Sequence, residues 1–532
     1  MKRNKAAIAS FSISEPGPRA DAGDNFTGKG TDMANTPKRA LRTTTAMGAL
    51  GLLVAMPGLV ATAPLEAQSA KAPKVYAISP TDKAEGAKAH PELLSEFGGA
   101  VTGAQASYVE QVGKKIAVQS GLSNATGDFT VTLLNSPVNN AFAIPGGYVY
   151  VTRQLTALMN NEAELAGVLG HEVGHVAARH SAQRQKAAQR NQIIGVLGSI
   201  LSGAVLGDNA FGQFGQKLFS QGSQLLTLKF SRSQELQADQ LGITYLKRAG
   251  YDPRAMSTVL ESLARQNALE AQLSGGGNQT PEWASTHPDP ASRVRTALTY
   301  AGNGSTGATN RDAFLTRIDG LVYGDDPKQG IVEGRKFTHP VLRFAFDAPD
   351  GFFMVNGTSA VSISGSSGKA QFSGGKLNGS LDSYINTVFG TLTESGQARI
   401  TPSSIEKTTV NGIPAAYGVA RVQNSSGTID VVVFAYDFGN GQAYHFMTLA
   451  QAGGAEVFTP MFRSLRRISA ADAGSVRPRL LDVVTVKAGD TVQSLAAKMA
   501  YSDAKVDRFL VLNGLQANSP LMPGQKVKIV TY

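Results

Sequence analysis

Three of the chain's seven histidines fall within the stretch LAGVLGHEVGHVAARHSAQRQ: His171, His175 and His180, with Glu172 beside the first. On a helix, positions four apart share a face, so His171 and His175 can aim two ring nitrogens at one cation while Glu172, one step round, reaches its open side. The same spacing also occurs in amphipathic helices that carry histidines on a solvated surface. A catalytic zinc site needs a third protein ligand and leaves a fourth position for water. Between His175 and Glu235 the only acidic residue is Asp208, in a Gly/Asn stretch; Glu235 and Asp239 then stand four apart in ELQADQLG. Either Glu235 ligates the ion while Asp239 accepts a hydrogen bond from a ligand histidine and fixes its tautomer, or the pair is a solvated helix face.

Composition narrows the donor set. With no cysteine in 532 residues, disulfides, thiolate zinc sites, a cysteine nucleophile and a lipidated cysteine are excluded. Any metal must be held by histidine and carboxylate. The length exceeds one domain and 42% apolar residues permit real cores. The formal charge of +10 is spread without long basic runs, and no nucleic-acid motif accompanies it, so no nucleic-acid partner is expected. Lys38, Arg39 and Arg42 precede an uncharged run broken by Pro57, and small residues follow; this reads as a cleaved export signal ending near Ala67, with Met33 as the alternative start. A periplasmic or secreted location follows.

The elements that must position the candidate residues are legible in part. GAQASYVEQVGKKIAVQSG has helical periodicity, and DFTVTLLNS and AFAIPGGYVYVT read as strands, the second pair turning at Pro145-Gly146-Gly147. Asn161 and Glu164 have capping-box spacing and open the histidine helix. SRSQELQADQLGITYLKRAGYDP is a second helix, opened by Ser231 or Ser233 and stopped by Gly250, and a third spans about 254–272. The apolar run 193–207 reads as a buried hairpin, with peripheral membrane contact as the alternative. The expected organisation is an extension and signal at 1–67, a linker at 68–100, a mostly helical (α+β) domain at 101–301, and a linker at 302–334. An α+β domain of short alternating strands at 335–470, with helices near 380–390 and 455–466, a linker at 471–482 and a final unit at 483–532 complete it. His339 and His445 stand singly in the 335–470 domain and read as structural.

HEVGHVAARH, ELQADQLG, STHPDPASR and, upstream of them, NAFAIPGGYVYVTRQL resemble, in that family's order, the motifs of the zinc metallopeptidases that include the CAAX prenyl protease, the HtpX heat-shock protease and periplasmic proteases of the BepA type. The resemblance covers about residues 100–300. It implies a zincin-like fold, one zinc per chain on His171, His175 and Glu235, Glu172 as general base, Asp239 as the partner of a ligand ring, and His287 and Arg293 lining the site. It implies hydrolysis of peptide bonds in envelope or misfolded proteins, by water whose proton passes to Glu172. His287 would either donate to the oxyanion or take the fourth zinc position and shut the site, with IDGLVYGDDPKQG acting as a lid. The substrate would add as a strand along Asn140, Phe142, Pro145, Gly146 and Gly147, unless that hairpin is simply core sheet. The chain departs from the family at Arg153 and Gln154, where glycine is frequent, which leaves the edge of the cleft open.

Residues 483–532 resemble a LysM module of βααβ form, with Gly489-Asp490-Thr491 after the first strand, Asn513-Gly514 after the second helix and Pro523-Gly524-Gln525 before the last strand. Such modules bind N-acetylglucosamine glycans such as peptidoglycan. Gly489, Asp490, Thr491 and Asn513 are the candidate glycan residues, and Tyr501 stands where a helix-ending glycine is usual. A structural cap on the protease is the other reading. At the level of the whole chain, a non-catalytic chaperone or peptidoglycan-binding protein that retains the metal fold stands as the alternative to an endopeptidase.

Overall fold

The computed structural model describes residues 76–183, 230–273, 287, 289–303, 306–392, 400–424 and 427–532. The expected export signal and the apolar run 193–207 lie outside them. Among the described residues, no helix is long and apolar enough to cross a membrane.

The first part folds in the order α1 (Pro80–Glu96), α2 (Ala104–Ala117), β1 (Thr130–Leu134), β2 (Ala141–Ile144), β3 (Tyr148–Thr152), α3 (Arg153–Leu158) and α4 (Glu162–Ala177), followed by α5 (Arg232–Ala249), α6 (Ala255–Leu273) and α7 (Pro290–Ala301). The three strands form one sheet with β3 central, parallel to β1 and antiparallel to β2. Alternation along the strands sends Val131, Val149 and Val151 into the core shared with α2 and α4, and Phe142, Ile144 and Tyr150 into a second core with Leu93 and Phe97. α1 therefore covers the outer face of the sheet, in a segment expected to be a linker. Its start is encoded locally: Ser79 and Asp82 form a reciprocal capping box and Pro80 occupies the first turn. The turn between β2 and β3 seats against α1 so closely that a Cβ on Gly146, at φ +98°, would lie 2.5 Å from the Asp82 carbonyl oxygen.

The 302–334 segment is also structured. It carries α8 (Arg311–Ile318) and β4 (Val322–Tyr323). A seven-stranded antiparallel sheet follows, in the order Ile405–Val410, Ile413–Asn424, Gly427–Gly439, Gln442–Gln451, Gly368–Lys376, Ala360–Gly365 and Phe353–Asn356. One face packs Phe372, Phe434 and Phe446 against Phe346 of a four-stranded sheet; the other packs against the helix Leu381–Gly390. His445 lies on that second face, where its ring meets Tyr384 Oη at 2.9 Å and Ser373 Oγ at 3.3 Å, so its role is local packing.

The final unit pairs Arg479–Thr485 with Lys526–Thr531 in antiparallel register around two short helices, Val492–Ala497 and Lys505–Asn513. β4 extends this sheet by pairing with Arg479 and Leu480. Leu481, Phe509, Leu512, Val527 and Ile529 belong to the same continuous core as α2 and α4. The chain is thus multidomain, with helices and sheets in each part, but its C-terminal unit is packed on the first domain rather than strung from it.

Candidate metal centre

Two helices build the site. α4 opens where Asn161 accepts from the Glu164 N–H at 2.9 Å, and α5 opens at a capping box between Ser231 and Gln234. Their contact is backbone to backbone. A Cβ on Gly174 would meet the Ala238 carbonyl oxygen and Leu241 Cβ at 3.2 Å, and one on Gly242 would lie 3.0 Å from His171 N. Glycine at these positions lets α5 approach until Glu235 reaches the histidine pair of α4. α7 then supplies Arg293, and His287 lies just before it.

Four side chains, His171, His175, Glu235 and His287, bring one donor atom each within 4.8 Å of one another, all buried. His171 Nε2 lies 3.0 Å from His175 Nε2 and 3.4 Å from His287 Nδ1. Glu235 oxygens lie 3.6 Å from His171 Nε2, 3.4 Å from His175 Nε2 and 3.1 Å from His287 Nδ1. Ligands about 2.0–2.2 Å from a tetrahedral centre stand ~3.3–3.6 Å apart. The donor set and its spacing therefore fit zinc. Glu172 Oε1 is buried with no hydrogen-bond partner among the described residues and lies 3.6 Å from His287 Nε2, which leaves a carboxylate oxygen beside the donor set.

The ring orientations are set from outside. Asp239 Oδ1 sits 2.9 Å from His171 Nδ1, so that nitrogen carries the proton and Nε2 presents its lone pair. Arg293 holds Asp239 through Nε at 2.8 Å and Nη2 at 2.6 Å, and its Nη1 pairs with Glu235. For His175 the outer partner is a second histidine. Its Nδ1 lies 2.8 Å from His180 Nδ1, and His180 Nε2 lies 2.9 Å from Gln237 Oε1. An amide oxygen only accepts, so His180 must carry its proton on Nε2 and accept from His175 on Nδ1, which frees His175 Nε2 for a metal. Phe230 stacks on the His175 ring at 3.8 Å. His180 and Gln237 carry a role that spacing did not assign. The helix stops at Ala177, and Arg179 at φ +53° turns the chain back, so His180 reaches His175 off the helical repeat.

Charges shift accordingly. Burial would raise the Glu235 carboxyl, but His287, His175 and Arg293 beside it hold it well below the usual range. Asp239 is lowered on the same pattern, burial opposed by Arg293 and His171. Burial drives His175 down, toward the neutral ring that ligates. Glu172 goes the other way: burial pushes it up to about 8, with His171 and Arg293 opposing and Glu235 and Asp239 adding. A carboxylate near neutrality suits proton transfer at physiological pH.

The other expected residues are placed as follows. β2 is an edge strand with no partner on its outer side among the described residues, but the Asn140 and Phe142 side chains are buried and Phe142 stacks on Tyr150. These side chains build the sheet, and only backbone is left to receive a substrate strand. Arg153 and Gln154 do not edge a cleft: both are buried, Arg153 Nη1 donating to the Val322 carbonyl at 3.0 Å and Gln154 Oε1 accepting from Gly324 N at 2.8 Å. With Gly320 and Leu321 bonded to Leu481, the 320–324 segment is fastened on both sides, which removes it as a lid. Gly489 and Thr491 are exposed, whereas Asn513 is buried with its amide bonded to the Lys528 backbone on both sides, so its expected glycan contact is replaced by a fold contact. Tyr501 lies between the guanidinium groups of Arg479 and Arg508, facing the junction with β4.

Comparison with known proteins accords with this geometry. Residues 103–301 match Peptidase family M48 and residues 484–530 match the LysM domain. The chain is 34% identical over 225 residues to the beta-barrel assembly-enhancing protease of Yersinia pestis, covering 41% of this chain and 44% of that protein. It is 33% identical over 210 residues to the mitochondrial metalloendopeptidase OMA1 of Schizosaccharomyces pombe, covering 39% and 57%. The chain thus spans about half the length of these curated relatives. A Bacteroides thetaiotaomicron structure aligns at 13% identity over 38% of this chain and 87% of that one, with a TM-score of 0.23, too slight to bear on the fold. The matches and the paired helices with their buried donor set agree: residues 103–301 form a domain of peptidase family M48, joined to a C-terminal LysM domain.

Proposed function

We propose that the protein is an exported zinc-dependent endopeptidase acting on envelope or misfolded proteins, with His171, His175 and Glu235 holding one zinc and Glu172 as general base. The observation that carries this reading is the convergence of four buried donors with an unpartnered Glu172 oxygen beside them. Bound there, zinc supplies Lewis-acid polarisation of a carbonyl and acidification of water. The chain's own residues do the rest. Glu172, its carboxyl poised near neutrality by burial, takes a proton from water and returns it to the departing amine nitrogen. Asp239 and the His180–Gln237 pair keep the ligand tautomers fixed, and Arg293 balances Glu235 and Asp239. A substrate backbone adds beside β2. Export rests on the N-terminal sequence, and similarity to bacterial beta-barrel assembly-enhancing proteases supports an envelope setting. The exposed Gly489 and Thr491 turn is the surface through which the LysM domain meets peptidoglycan.

A second reading concerns the resting state. His287 Nδ1 stands among the donors rather than behind them, which favours a closed form with His287 in the fourth position. The test of the main reading is cleavage of casein by the full chain, with zinc content measured in parallel. Glu172→Gln is expected to keep about one zinc and to lose at least ~10²-fold in rate. Wild-type cleavage by that variant, or zinc retained by a His175→Ala and Glu235→Ala double variant, would refute the assignment.

A further inference from the structure

Lys528 lies in the last strand of the LysM domain and is fully buried. Its Nζ is 2.8 Å from the Ala157 carbonyl oxygen, 3.2 Å from that of Leu158 and 2.6 Å from that of Met159. These are the carbonyls at the C-terminal end of α3, which the helix itself leaves without donors. An ammonium has three N–H bonds and meets three acceptors, and the negative end of a helix favours the cation. Within the LysM domain the Lys528 backbone is gripped in turn: Asn513 Oδ1 accepts from its N–H at 2.7 Å and Asn513 Nδ2 donates to its carbonyl at 2.8 Å.

Three residues separate the end of α3 from α4, and the first turn of α4 carries Glu164, which is also buried. Its carboxylate receives the Asn160 N–H at 2.7 Å and the Thr258 hydroxyl at 2.7 Å, and the Lys528 charge acts on it favourably. Lys528 therefore holds the α3 side of the corner by hydrogen bonds and acts on Glu164 at the α4 side through charge alone, burial lowering the ammonium to about 7 and Glu164 opposing that shift. His171 lies about 14 Å further along the same rigid helix. Metal donors need placement within about 0.5 Å, so a change of tilt at this corner is felt at the ligands.

We infer that Lys528 is a positioning residue through which the LysM domain sets the corner between α3 and α4, and with it the placement of His171, Glu172 and His175. The LysM domain is then a working part of the peptidase and not a detachable tether. This inference rests on the endopeptidase reading for its kinetic consequence only.

The experiment compares the full chain with Lys528→Met, Glu164→Gln and the double variant. It reads hydrogen exchange by mass spectrometry, zinc affinity by chelator competition, and kcat and KM on casein. Lys528→Met is expected to speed exchange in peptides covering 157–170 by at least about tenfold while peptides from 405–451 stay as in the wild type. Zinc affinity and kcat should each fall by about tenfold, KM should move little, and adding Glu164→Gln should restore part of the loss because no unpaired carboxylate remains. A merely structural lysine would lower the thermal midpoint but leave exchange at 157–170, zinc affinity and kcat of the folded protein as in the wild type; that result, or strict additivity of the two substitutions, overturns the inference. If Lys528→Met does not fold, Glu164→Gln alone decides: a local loss at 157–170 with weaker zinc binding supports it, and wild-type behaviour overturns it. Should the wild type fail to cleave casein, the endopeptidase reading falls while the exchange and zinc measurements still judge Lys528.

Discussion

Asp239 serves two partners with one carboxylate. Oδ1 lies 2.9 Å from His171 Nδ1 and 2.6 Å from Arg293 Nη2, and Oδ2 accepts from Arg293 Nε at 2.8 Å. Asp239→Asn keeps the shape but leaves one accepting oxygen and one NH2 group, and neither orientation satisfies the site. With the oxygen at the Oδ1 position, the NH2 group faces the Arg293 Nε–H. With the amide turned over, it faces His171 and Arg293 Nη2 together. The first orientation loses one charge-assisted bond and the second loses two, so the first prevails: the His171 tautomer survives and Arg293 loosens. Losing an outer partner of a ligand histidine weakens metal binding by about 10–100-fold, or ~1.4–2.7 kcal/mol, and retention of the His171 bond places Asp239→Asn at the lower end. The assay is titration of the metal-free chain with zinc against a chromophoric chelator at fixed pH, with Glu235→Ala alongside as loss of a direct ligand. An affinity within twofold of the wild type would refute the orienting function. An affinity as weak as that of Glu235→Ala would mean that Asp239 acts as a ligand itself.

His287→Ala, with zinc content unchanged, is expected to raise basal cleavage of a flexible substrate, since the Nδ1 atom it removes stands in the donor set. A fall of about a hundredfold would instead identify an oxyanion donor. On the helix-packed face of the seven-stranded sheet, burial lowers His445 to about 4 from 6.5, so its contribution is fully present above pH ~6.5, declines as pH falls and is lost by pH ~4. The contribution is about 3 kcal/mol, and denaturant unfolding followed by exchange in residues 427–451 should show it; His445→Gln should flatten that dependence, and an unchanged slope would refute the assignment.

The two helices of the site were legible because each carries its own punctuation. Asn161 with Glu164 opens α4, and Ser231 and Gly250 bound α5, so ligand spacing could be read on a known repeat. The βααβ form of the last unit was legible from its turns for the same reason. α1 was missed although Ser79, Pro80 and Asp82 spell a helix start, because Leu93 and Gly86 are its only buried residues and no apolar stripe follows the cap. β4 has two residues and therefore no periodicity to detect. Lys528 reads as an outward position in KVKIV, since lysines two apart, at 526 and 528, ordinarily mark the solvated face of a strand. Only the packing of α3 against the LysM domain shows that both faces of this strand are covered. His180 is hidden for a different reason: its distance from His175 in sequence corresponds to no helical neighbour, and the Arg179 turn that brings it back leaves no signature in residue type.

The charges of the donor set fit a dication. Glu172, Glu235 and Asp239 are all buried, Arg293 is the buried cation that faces them, and His175 is driven neutral by burial. Three ionised carboxylates against the one guanidinium of Arg293 leave a net charge of −2 to be met by the rings or by an ion. Burying such an excess is costly, and a proton on Glu172 relieves only part of it, which is why burial lifts that carboxyl and leaves Glu235 and Asp239 low. A divalent ion completes the balance where a monovalent ion or a second arginine would leave it uneven or block the donors. Arg293 contributes from outside the donor set, through its pairs with Glu235 and Asp239. It pairs with two of the three carboxylates, so the positions of Glu235 and Asp239 are set by the chain itself and do not depend on a bound ion.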